Sequence, residues 1–246
     1  MSVRSAQPGI PPWLEAAPPR RAQPRAESWQ RFISTGDRAL LRHDEPLWEV
    51  LQWAAERGGF LLHGTQRGGL DELQPRAPLD RSPDEFSKRR AVFGSSDAIW
   101  AMCYALRGPS TNGMLNSCVH IESEGAWTPP HYFLSLSGSD QRTDLLQPGW
   151  VHLIDKGTFE RMKPYEWAGV ERVLEAQWVS SCSVPVHSSV RVLPQDLPIR
   201  CRLHSAEAVE RASADNPAGF PWLESPPYSP LKAGFRFSWK AAKPSA

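Results

Sequence analysis

The stretch that most limits how this chain can fold is Phe60-Leu61-Leu62-His63-Gly64-Thr65. Gly58-Gly59 closes the segment before it, and the apolar run that follows is short and ends in polar residues. That pattern predicts a buried strand delivering His63 into a cleft. A second apolar run, Ala91-Val92-Phe93, turns through Gly94-Ser95-Ser96-Asp97 into a helix start. A third, Val173-Leu174-Glu175-Ala176-Gln177-Trp178-Val179, reads as a strand with its polar groups on one face. The function of such a chain turns on whether these three segments meet.

Around them the pattern predicts an α+β fold with mainly antiparallel pairing. Pro46 opens and Gly58-Gly59 closes a helix over 45–58, with Trp48, Leu51, Gln52 and Ala55 at helical spacing. Ser95-Ser96-Asp97 caps a helix over 97–106 carrying Ile99, Met102, Cys103 and Leu106. Short strands follow at 118–121, 132–136, 150–154, 158–162, 172–180, 184–193 and 199–203, and Ser205 caps a helix to about Ala212. Residues 66–90 and 108–117 read as loops.

The ends are different. Half of the 24 prolines fall in 1–30 and 214–246. Residues 1–30 are expected as a Pro- and Arg-bearing extended arm, 31–212 as one domain, and 213–246 as a Pro-rich tail packed on it. Pro-Trp-Leu-Glu occurs twice, at 12–15 and 221–224. Either this is coincidence in a Pro-rich chain, or both tryptophans dock on the same domain or on a partner.

A net charge of +1 gives no global field for nucleic acid. Cys103, Cys118, Cys182 and Cys201 form no CxxC pair, and His120 and His131 have no third ligand at metal spacing, so no metal is assigned. No apolar run reaches the roughly 20 residues of a membrane span, and no secretory leader is visible, so a cytoplasmic protein is expected. No nucleophile-elbow motif supports a hydrolase.

The His63-Gly64-Thr65 strand and the Phe93-Gly94-Ser95-Ser96 turn resemble the ADP-ribosyltransferase fold, in its diphtheria-toxin and poly(ADP-ribose) polymerase branch. That branch carries a His, an aromatic and an acidic or amide residue on three separate strands. Phe93 and Tyr104 fill its two aromatic positions, and Gln177-Trp178-Val179 its third strand. The resemblance covers about 60–200 and implies two small packed, mostly antiparallel sheets with a few helices.

It also implies NAD as substrate, with ADP-ribose passed to a protein or nucleic-acid acceptor or the NAD hydrolysed. In that picture His63 bonds an adenosine-side ribose hydroxyl. Gly64, with Thr65 beside it, offers backbone groups to the nicotinamide amide, and Phe93 and Tyr104 wall the ring. Gln177 holds the nicotinamide ribose. A family serine's position falls here on Ala101, so either Ser95 or Ser96 substitutes for it or that contact is lost. Gln177 cannot ionise, so Glu175, two residues earlier on the same strand face, is expected to supply the missing charge. The basic loop residues Arg67, Arg76, Arg81, Lys88, Arg89 and Arg90 are either solvated or set beside the NAD pyrophosphate or an acidic target. The alternatives are a catalytically silent module that binds NAD or ADP-ribose, and an interaction scaffold built on the Pro-Trp-Leu-Glu ends. His63 and Tyr104 as plain core residues is the reading without chemistry.

Overall fold

The computed structural model describes residues 10–11, 13–77, 84–138, 145–167, 170–217 and 219–223. Helices form where apolar residues recur at helical spacing and a cap closes the end. Helix α1 (Ala26–Thr35) buries Trp29, Phe32 and Ile33. Helix α2 (Leu47–Gly58) follows Pro46 and buries Leu47, Val50, Leu51 and Ala54. Helix α3 (Ala98–Ala105) is capped by Asp97, whose carboxylate accepts from the Trp100 N–H at 2.8 Å. Helix α4 (Ala206–Asp215) is capped by Ser205.

The strands make two sheets. The first runs β1 (Glu15–Ala16), β7 (His131–Gly138), β5 (Thr111–Ser123), β11 (Val170–Glu175), β10 (Tyr165–Trp167). Strand β6 (Ala126–Trp127) pairs with β5, and β14 (Arg202–Leu203) with β7. The second runs β3 (Glu72–Leu73), β13 (Val184–Val192), β8 (Gly149–Asp155), β2 (Phe60–Thr65), β4 (Val92–Ser95), β12 (Gln177–Ser180), β9 (Glu160–Arg161). All these pairs are antiparallel except β14 with β7. The α+β class with two mostly antiparallel sheets is therefore observed.

The largest core packs α1, α2 and α3 against Leu62, Val151, Leu153, Val190 and Val192 of the second sheet, Cys118 and Tyr132 of the first, and Ala176 between the two. The opposite face of the second sheet carries a smaller cluster of Leu61, Leu73, Val92, Ile154 and Val184.

The second face of the first sheet is covered by two short segments, around Leu14 and Trp222. Leu14, with Trp13 beside it, packs there with Phe133, Trp167 and Val173, and so do Phe220, Trp222 and Leu223. Trp167 takes Trp13 edge-on at 5.1 Å and Phe220 tilted at 5.8 Å. Both Trp-Leu pairs thus pack on the same face of the first sheet, which is how their aromatic surface leaves water. Pro12 and Glu224, and the rest of the expected tail over 224–246, lie outside the described residues, as does Arg81.

Three expectations are corrected. Residues 26–30 are helical rather than extended, because Trp29, Phe32 and Ile33 bury one face of α1. Residues 111–117 are strand, because β5 pairs with β7 along most of its length and the backbone ladder compensates for polar, Gly-bearing side chains. Residues 172–180 are not one strand. The chain leaves the first sheet after Glu175 and enters the second at Gln177.

Candidate functional site

The three motif strands are consecutive in the second sheet, in the order β2, β4, β12. Leu62 pairs with Ser95, and Ser95 with Gln177. One cross-strand row therefore joins residues that are far apart in the chain. Strand β2 meets β4 at that single pair, whereas β12 pairs with all four residues of β4. Past Leu62 the strands β2 and β4 part.

His63 stands at this parting. Its Nδ1 lies 2.7 Å from the Phe93 carbonyl oxygen. A carbonyl only accepts, so Nδ1 carries the proton and Nε2 presents its lone pair. Burial, with smaller contributions from His152 and the charge of Arg76, lowers the His63 pKa and keeps the ring neutral. The ring stacks on His152, centroids 6.4 Å apart at 24°. His152 is itself fixed: Nε2 donates to the Arg67 carbonyl at 2.9 Å, and Nδ1 accepts from the Ser189 hydroxyl at 2.7 Å. Its pKa is also lowered, first by burial.

Gly64 answers to the helix. A Cβ there would stand 1.9 Å from the Ala101 carbonyl oxygen and 2.6 Å from the Ala105 nitrogen. Gly149 on β8 is in the same position, 1.7 Å from the Ala105 carbonyl oxygen. These two glycines let α3 lie directly on the sheet. Tyr104 follows Ala101 by three residues, so on the helix surface it is a neighbour of that seat. The residue is 41% exposed, and its ring meets Trp100 edge-on at 6.1 Å.

Strand alternation then sorts the side chains. Leu62 and Gly64 face α3, and Ser95 and Gln177, paired in Leu62's row, share that face. Phe93, two residues before Ser95, shares it too. His63 faces the other way, on the side of Leu61 and His152. The fold brings the three strands together, but the imidazole and the Gln177 amide sit on opposite sides of the sheet.

The remaining candidates have local partners. The Gln177 amide is buried and within 3.3 Å of the Ser87 hydroxyl. The Ser95 hydroxyl accepts from the Asp97 N–H at 2.9 Å and donates to the Asp97 carbonyl at 3.0 Å, so it is committed to the turn before α3. Thr65 accepts from the Arg67 N–H at 3.2 Å. Glu175 does not share a strand face with Gln177. It pairs with Val119 in the first sheet and accepts from the Tyr165 hydroxyl at 3.0 Å.

Two groups escaped the sequence reading. His152 is the polar centre of the apolar run 150–154, and that anomaly was the available signal. Asp97 is more than a cap: its second oxygen accepts from the Tyr132 hydroxyl at 2.6 Å, tying the first sheet to the start of α3. Burial raises the Asp97 pKa and that of Tyr132. Among the described residues no group of three or more His, Cys, Asp or Glu could hold a metal, and no helix is long and apolar enough to cross a membrane.

No protein-family model matches the chain, no curated protein matches it significantly, and neither does any solved structure.

Proposed function

We propose that this chain is an NAD-dependent ADP-ribosyltransferase of the diphtheria-toxin and poly(ADP-ribose) polymerase type, acting on a protein or nucleic-acid acceptor or releasing ADP-ribose to water. The reading is supported chiefly by the row Leu62–Ser95–Gln177, which makes neighbours of the strands bearing all three motifs. In the reaction the bond from the ribose C1 carbon to the nicotinamide nitrogen breaks, nicotinamide leaves with the electron pair, and the acceptor attacks the same carbon. Such a site must hold the dinucleotide still while positive charge develops on the ribose. A dinucleotide lying in the parting of β2 and β4 reaches both faces of the sheet. On one it offers a ribose hydroxyl to His63 Nε2. On the other its nicotinamide ring meets Tyr104 and Phe93, and Gln177 takes the second ribose. A neutral amide stabilises that charge less than a carboxylate.

The test is mass spectrometry of cell-lysate components incubated with isotope-labelled NAD and the purified chain. Labelled ADP-ribose on a defined acceptor is the expected result; unlabelled components and intact NAD count against it.

A second reading, a silent module that binds NAD or ADP-ribose, is favoured by the buried Gln177–Ser87 pair and by Glu175 lying in the other sheet. Calorimetry showing NAD bound but unconverted, by both the native chain and Gln177→Glu, would select it.

A further inference from the structure

The parting between β2 and β4 has a charged rim. Arg76 is fastened there by its backbone: its N–H donates to the Ala91 carbonyl and the Ala91 N–H donates back, each at 3.1 Å. Ala91 is two residues before Phe93, whose carbonyl holds His63. The Arg76 side chain is exposed, and among the described residues it forms no ion pair. Glu72, the nearer to Arg76 of the two acidic residues between β2 and Arg76, is engaged by Ser183 and Gln74. The charge of Arg76 is felt at His63, where it opposes protonation.

We propose that Arg76 is the anion-binding residue of this site and takes the diphosphate of the bound nucleotide, an assignment that rests on the NAD reading above. A neutral imidazole with an acceptor nitrogen, and an exposed guanidinium whose charge reaches it, match a sugar phosphate, which offers a hydroxyl donor next to an anion. Arginine suits the task because its planar fork bonds two phosphate oxygens at once. Because its backbone is already held to Ala91 by two hydrogen bonds, little backbone freedom is lost when the side chain engages.

The experiment is calorimetry on the full chain with ADP-ribose and with adenosine, which lacks phosphate. Arg76→Ala should weaken ADP-ribose about tenfold or more, the loss expected for a charge-assisted pair, and leave adenosine unchanged. Arg76→Lys should recover part of the loss. Equal ADP-ribose affinity in the native chain and in Arg76→Ala overturns this assignment alone. No ADP-ribose or NAD binding by the native chain overturns the NAD reading with it. An unchanged circular-dichroism melt for Arg76→Ala secures the comparison.

Discussion

Glu175 and Gln177 stand two positions apart and belong to different sheets, Glu175 opposite Val119 and Gln177 opposite Ser95. Ala176 is the crossing point, buried in the core between the sheets. Glu175 therefore supports the fold through Tyr165 and gives no charge to the face that carries Gln177. Replacing Glu175 with Gln should cost roughly 1–2 kcal/mol, through a weakened bond to the Tyr165 hydroxyl, and leave turnover per folded molecule unaltered. Gln177→Glu should instead raise turnover if the site is chemically competent. Denaturant titration alongside a nicotinamide assay separates the two effects.

Gly64 is held to glycine by the backbone of α3. Gly64→Ala puts a methyl group where the Ala101 carbonyl oxygen already stands, so helix and strand must separate. We expect a loss of about 3 kcal/mol or more, at the upper end of overpacking costs. A melting temperature within a degree or two of the native value would contradict the close packing of α3 on β2.

Tyr132 and Asp97 join the first sheet to α3 through a 2.6 Å hydrogen bond. Tyr132→Phe leaves a buried carboxylate oxygen short of a donor and should cost roughly 1–3 kcal/mol. Because the folded Asp97 pKa is raised, the native state holds a proton on the Asp97 carboxyl more tightly than the unfolded chain does. The stability Asp97 confers is present at acid pH and is lost as pH rises through its folded pKa. Asp97→Asn should flatten that part of the pH–stability curve, measured by urea unfolding across a pH series.

His204 works in the opposite sense. Burial lowers its pKa from 6.5 to about 4 in the fold. The unfolded chain takes up the proton first, so stability is full above pH 6.5 and falls as pH drops toward about 4. His63, His131 and His152 shift the same way and deepen the fall. Replacing His204 with Gln should shrink the acid-side slope; an unchanged slope would show that His204 contributes nothing to it.

Much of the second sheet was legible from local signals. Pro46 and Gly58-Gly59 bracket α2, Asp97 announces α3, and the apolar runs mark β2 and β4. The crossing at Ala176 was not legible, because a strand that changes sheets through an apolar residue leaves no Gly or Pro to mark the break. Nor was the strand at 111–117, whose stability lies in pairing with β7 rather than in its own side chains. Helix α1 was hidden by the prolines before it, although Trp29, Phe32 and Ile33 kept helical spacing. At the site, the three motif strands could be read, but their order in the sheet and the face each side chain takes depended on pairing registers that sequence does not display.

Release of free nicotinamide from NAD by the purified chain, compared with His63→Ala and Gln177→Ala, tests the proposed chemistry most directly. We expect measurable release by the native chain, with or without lysate acceptors, and a loss of about tenfold or more in each variant at unchanged folding. No release under any condition, or release that both variants retain in full, would contradict it.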